Sequence, residues 1–93
     1  MSIFLTLSWD IIPGNEQEYA YFIAKSFLPE TAAMGLPSVG GYYVEVGFGP
    51  RIIGVHYCND KQELTDIVKS DKFKVLTLKL RSMVYNYRTS VME

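Results

Sequence analysis

Few side chains in this sequence can move a proton or attack a substrate near neutral pH. Among 93 residues there is one histidine, His56, and one cysteine, Cys58. His56 is the only side chain whose ordinary pKa lies near neutrality, so acid–base chemistry falls to it first. It lies in a run, residues 51–58, that reads as a strand, on the same parity as Ile52, Gly54 and Cys58. Asp10 shares a mixed parity with Phe4, Thr6, Ser8 and Ile12 on an opening strand, and Arg88 shares one with Val84, Asn86, Ser90 and Met92 on a closing strand. With these faces brought together, His56 can abstract a proton from a phenol or an activated carbon. Asp10 can orient the imidazole, and Arg88 or Asn86 can stabilise the developing enolate or phenolate. Tyr43, Asn86 and Ser8 complete the set as candidate ligand-binding residues. Each has a plainer role as well: His56 as a hydrogen-bonded interface residue, Asp10 as an acceptor for the turn that follows it, Arg88 as the ion-pair partner of Asp10 or Glu45.

Other chemistry is excluded by count or spacing. One cysteine and one histidine cannot build a thiolate cluster or a multi-histidine zinc site within a chain, and the acidic residues form no calcium-loop pattern. No metal or cofactor site is therefore expected. Cys58 reads as packing. Gly40-Gly41 and Gly47-Phe48-Gly49 lack the spacing and the strand-to-helix setting of a dinucleotide fingerprint. Five of the nine basic residues fall between Lys69 and Arg81, but Lys72/Lys79 and Lys74/Arg81 flank an apolar helix face on opposite sides. With a net charge of -1, no nucleic-acid partner is expected. No apolar run is long enough to span a bilayer, and the first residues alternate like a strand rather than a leader, so a cytoplasmic location is expected.

The elements that must position these residues follow from periodicity. Residues 2–12 alternate as a strand, with Ile3, Leu5, Leu7, Trp9 and Ile11 on one face. Pro13-Gly14 turns the chain. Asn15 with Glu18 three residues on, or Glu16 in its place, opens a helix over residues 16–28, whose core stripe is Tyr19, Phe22, Ile23 and Phe27. Pro29 perturbs or restarts that helix. A glycine-rich strand over 38–47, a turn at Phe48-Gly49-Pro50 and a strand over 51–58 form a hairpin. Asn59 or Asp60 caps a short helix carrying Leu64, Ile67 and Val68, and Ser70-Asp71 opens or continues a second helical segment through Phe73, Leu76 and Leu80. A last strand covers 83–91, with Tyr85 and Tyr87 on one face. The order gives a single domain over residues 1–93: a ferredoxin-like βαββαβ sandwich with an antiparallel four-stranded sheet.

Ile53, Val55 and Tyr57 are expected to face the helices, leaving the mixed parities on the second sheet face. That face is too apolar for open water. Tyr21, Ala24, Leu28, Val75 and Leu78 add an apolar surplus on the helices. A homodimer through the free sheet face is the expected way to cover it.

The chain resembles the dimeric α/β-barrel superfamily and is similar to its antibiotic-biosynthesis-monooxygenase, EthD and NIPSNAP-type small domains. The likeness rests on the opening strand, Glu18-Tyr19-Ala20-Tyr21-Phe22, Leu28-Pro29, Val39-Gly40-Gly41-Tyr42-Tyr43 and the run from Leu80 to Tyr87. It covers nearly the whole chain as a pattern of elements. The resemblance implies a dimeric α/β barrel, formed by two sheets around a central space, with a ligand-sized pocket between sheet and helices. It further implies binding of an apolar or aromatic metabolite, with cofactor-independent oxygenation or a proton-transfer isomerisation as the activity. The alternative is a non-enzymatic ligand-binding or structural dimer domain. The Asn, Trp and helix-borne His arrangement of haem-degrading members is not reproduced, so no haem role is carried over.

Overall fold

Large apolar residues at every second position of β1 (Ile3–Ile11) set the orientation of the whole sheet. Ile3, Leu5, Leu7 and Trp9 are buried against the helices. The computed structural model describes residues 2–43 and 51–93. After β1 come α1 (Glu16–Phe22), a π-helical stretch (Ile23–Phe27), α2 (Leu28–Ala33), β2 (Ser38–Tyr43), β3 (Ile52–Cys58), α3 (Lys61–Lys69), α4 (Asp71–Arg81) and β4 (Val84–Met92). The strands pair antiparallel in the order β2-β3-β1-β4, the ferredoxin-like arrangement.

The sheet is open. Its edges, β2 and β4, do not pair, so the expected α/β barrel is corrected to a sandwich with an unclosed sheet. Closure requires the two edge strands to meet through tilt and stagger. Here they are three strand spacings apart, about 14 Å.

The first helix continues past Phe27, through Pro29, to Ala33. The Leu28 N–H bonds to the Ile23 carbonyl, five residues back, and this widened turn immediately precedes the proline, which has no N–H of its own. Tyr19, Phe22 and Phe27 are buried and Ile23 packs beside them. At the other end of α1, Asn15 makes no side-chain cap bond; the Glu16 carboxylate instead accepts the Gly14 N–H at 2.7 Å. At the end of α2, Gly35 (φ 94°) supports a Schellman closure, with Leu36 N–H on the Thr31 carbonyl and Gly35 N–H on the Ala32 carbonyl. Asp60 caps α3 through the Glu63 N–H at 2.8 Å, and Ser70 caps α4 through the Phe73 N–H at 3.2 Å. Leu64, Ile67, Phe73, Leu76 and Leu80 complete the core, while Tyr21, Val75 and Leu78 are exposed.

Two expectations about strand faces are reversed. His56 pairs with Leu5, Gly54 with Leu7 and Ile52 with Trp9, so this parity of β3 faces the helices and Ile53, Val55 and Tyr57 face away. Both parities of β3 are apolar, and only its pairing with β1 selects between them. In β4, Arg88 lies opposite Ser8 but Tyr85 lies opposite Asp10, so β4 carries one extra residue there. Asn86 takes a left-handed φ of 57° at this bulge. Tyr85 and Tyr87 consequently face opposite sides, and Tyr87 stacks on Trp9 at 6.4 Å. The turn at Phe48-Gly49-Pro50, the end of the expected second strand and Glu45 lie outside the described residues.

Candidate functional site

The structure brings four of the six sequence candidates together and separates the other two from them. Asp10, 8% exposed, accepts the Arg51 N–H at 2.9 Å on one carboxylate oxygen and the Asn86 side-chain amide at 3.1 Å on the other. Ser8 and Arg88 are neighbours across β1 and β4 on the same, helix-free side of the sheet. Among the described residues Arg88 makes no ion pair with Asp10; it lies opposite Ser8, and the Asp10 oxygens accept from Arg51 N–H and the Asn86 amide. Tyr43 stands exposed on the edge strand β2, opposite Ile52.

His56 lies on the other face. Its Cα partner is Leu5, five residues along β1 from Asp10, or about 17 Å of strand. The ring is 1% exposed, packs edge-on to Phe27 at 6.0 Å, and its Nδ1 lies 3.1 Å from the Leu36 carbonyl. A carbonyl can only accept, so Nδ1 carries the proton in this bond. Burial pushes the His56 pKa down, against a smaller upward pull from the Leu36 carbonyl. The imidazole ties the chain leaving α2 to β3, beside the Tyr57 N–H to Pro37 carbonyl bond.

A half-open cleft of about 710 Å³ lies elsewhere on the helix side, between α3 and the β1–β4 pair. Leu5, Leu7 and Phe73 form its floor and inner wall; Leu64, Thr65 and Val68 line it from α3, and Thr89 and Val91 from β4. Lys61 and Glu93 stand at its charged end, where Nζ and Oε1 are 3.7 Å apart. The volume falls in the range of small-molecule sites, and a mostly apolar wall with few polar groups is their usual chemistry. His56 is not among the lining residues; Leu5 stands between the two. Among the described residues no three His, Cys, Asp or Glu side chains gather as metal ligands, and no helix is long and apolar enough to cross a membrane.

Sequence reasoning named none of this cleft's lining residues as candidates, for two reasons. Leu5, Leu7, Leu64 and Phe73 have the periodicity of core residues, and nothing in their type separates a core wall from a cleft wall. Thr89 and Val91 reach the cleft only because the Asn86 bulge sets their parity. One signal was present: Lys61, Leu64, Thr65 and Val68 recur at helical spacing and make one stripe with a cation at its first turn.

Beside the cleft, Trp9 Nε1–H donates to Tyr19 Oη at 2.9 Å, and the Arg81 guanidinium lies 5.3 Å from the centre of the Tyr87 ring. Burial raises the pKa of both Tyr19 and Tyr87; the Trp9 bond lowers the first and the Arg81 charge the second, each by less. Trp9 and Tyr19 pair their polar atoms with each other, while Tyr87 meets the Arg81 cation through its ring face and stacks on Trp9.

The sequence matches no protein-family model and no curated protein. The structure matches those of small NIPSNAP-, EthD- and SnoaB-like domains. A NIPSNAP family protein from Agrobacterium tumefaciens superposes with a TM-score of 0.72 at 12% identity, covering 100% of this chain and 92% of the other. An EthD family protein from Bacillus halodurans gives 0.74 at 16% identity, covering 100% and 98%. SnoaB, a cofactor-independent oxygenase from Streptomyces nogalater, gives 0.68 at 12% identity, covering 99% and 91%. At these identities the likeness is one of fold.

Proposed function

We propose that the chain binds a small apolar or aromatic molecule in the cleft between α3 and the β1–β4 pair. The observation that carries this reading is the cleft itself, about 710 Å³ with an apolar floor and its charges confined to one end. A chain of this size gains stability by closing such a gap with its own side chains, so an open apolar cleft is better explained by an occupant. The activity we propose for its occupant is cofactor-independent oxygenation, or proton transfer, on an electron-rich aromatic. Its support is the fold shared with SnoaB. In this reading His56 holds Leu36 in place and supports the wall behind Leu5. Titration with 2-naphthylmethanol, followed by methyl NMR, tests the binding. Shifts are expected at Leu64, Val68 and Val91, and Val91→Trp is expected to abolish them. Shifts confined to the outer helix surface would overturn the assignment.

A homodimer through the helix-free sheet face is the second reading. Phe4 packs edge-on to Tyr57 there at 5.8 Å, Ile53 and Val55 are only partly buried, and Tyr42 and Met92 are exposed at the edges. Thr6 Oγ1, between them, is buried without a hydrogen-bond partner among the described residues. Sedimentation equilibrium is expected to give twice the chain mass, and Val55→Arg half of that. A wild-type monomer at high micromolar concentration would overturn this reading.

A further inference from the structure

We infer that the cleft selects an amphipathic monocarboxylate, an apolar or aromatic acid whose carboxylate pairs with Lys61 in place of Glu93. This rests on the reading of the cleft as a ligand site and adds the chemical class of its occupant. The charges that line the cleft, among the described residues, are Lys61 and Glu93, and they are not equivalent. Lys61 is the first residue of α3, whose start is pinned by the Asp60 cap bond to the Glu63 N–H. Glu93 lies beyond the last paired residue of β4, Met92. The cation is therefore held by the scaffold, and the carboxylate that meets it is replaceable.

The contact between them is also easily exchanged. At 3.7 Å, with the Lys61 and Glu93 side chains 76% and 52% exposed, it is a weak surface pair. Glu93 already presents a carboxylate to Lys61 at the edge of an apolar cavity, which is the geometry a bound acid would adopt. Its apolar body would lie on Leu5, Leu7 and Val91, and Glu93 would move outward into water. A ligand amine would have to be held by Glu93, the less anchored of the two, and would meet Lys61 as a like charge.

The test compares 2-naphthoate with 2-naphthylmethanol, the same ring system without the charge, by isothermal titration at low ionic strength and by methyl NMR. The wild-type protein is expected to bind the acid about two- to five-fold more tightly than the alcohol, with the difference shrinking as salt is added. Lys61→Met is expected to abolish the difference between the two probes. Glu93→Gln, which removes the internal competitor, is expected to tighten the acid relative to the alcohol. Equal affinity for the two probes, a preference that survives Lys61→Met, or weaker acid binding in Glu93→Gln would overturn the inference while the cleft remains a ligand site. Binding of neither probe at Leu64 and Val91 would overturn the underlying reading and this inference with it.

Discussion

Asp10 gives the sharpest quantitative test, because its surroundings define what its removal costs. The carboxylate accepts one backbone donor, Arg51 N–H, immediately before β3 and one side-chain donor, Asn86, from the β4 bulge. It thereby ties three strands at one end of the sheet. Hydrogen bonds to a charged group contribute about 1.5–3 kcal/mol each where they are shielded, and less where water can replace them. Arg51 and Asn86 are both exposed residues, so water recovers part of the loss. Asp10→Ala is therefore expected to cost about 2–3 kcal/mol. Over 93 residues the unfolding entropy is about 0.2 kcal/mol/K, which converts that loss to a Tm drop of about 10–15 °C.

Asp10→Asn separates hydrogen bonding from charge. Its amide oxygen keeps the Arg51 N–H, and its NH2 group is accommodated when the Asn86 amide turns over to present oxygen. That variant is expected to lose about 1 kcal/mol or less. Urea denaturation followed by far-UV circular dichroism, with calorimetry for Tm, measures both. An Asp10→Ala loss under about 1 kcal/mol would refute the tie between the strands, as would an Asp10→Asn loss equal to that of alanine.

His56 predicts a pH dependence. Burial lowers its pKa in the folded protein, so below about 6.5 the unfolded chain takes up a proton that the folded chain resists. The His56 contribution is complete above that pH and is lost as pH falls toward the folded value; urea midpoints from pH 8 to 5 should show this decline, and His56→Gln should flatten it. Tyr19→Phe leaves the Trp9 indole N–H without its acceptor and should cost about 1–3 kcal/mol. Emission from the single tryptophan gives a local readout of that change, and a cost below about 0.5 kcal/mol would contradict the pairing. Asn86→Gly keeps the left-handed backbone and loses the amide bond, for about 1 kcal/mol, whereas Asn86→Val adds backbone strain of about 1–2 kcal/mol. Equal losses for these two variants, by the same denaturation assay, would argue against the bulge geometry.

Elements with one apolar parity or stripe were legible in the sequence. β1 is one, with Ile3, Leu5, Leu7 and Trp9; α3 and α4, with Asp60 and Ser70 at their caps, are others. The order of elements was enough to give the ferredoxin-like sheet. β3 was not legible in its facing, because Ile52-Ile53-Gly54-Val55 offers an apolar residue to either side and its pairing with β1 is a long-range event. The passage of the helix through Pro29 was hidden as well, since the compensating bond is a backbone one, from Leu28 N–H to the Ile23 carbonyl. Asp10 and Asn86 were read as sharing a face by alternation, whereas the structure joins them through the bulge at Asn86, and their type could not say that they would hold each other.

The Asn86 bulge decides how β4 serves both sides of the sheet. Side chains along a strand alternate, so one extra residue exchanges the faces of everything beyond it. Because Asn86 is the added residue, Thr89 and Val91 turn toward α3 and line the cleft, while Arg88, Ser90 and Met92 turn to the helix-free face. An unbulged β4 would carry Arg88 and Met92 under α3, placing a guanidinium against Leu5 and Leu7 without a partner there, a costly arrangement. The apolar character of the cleft and the mixed character of the opposite face therefore depend on one left-handed residue. Asp10 holds that residue through its amide, so the carboxylate first singled out as a candidate for orienting a base instead fixes which side chains the cleft receives.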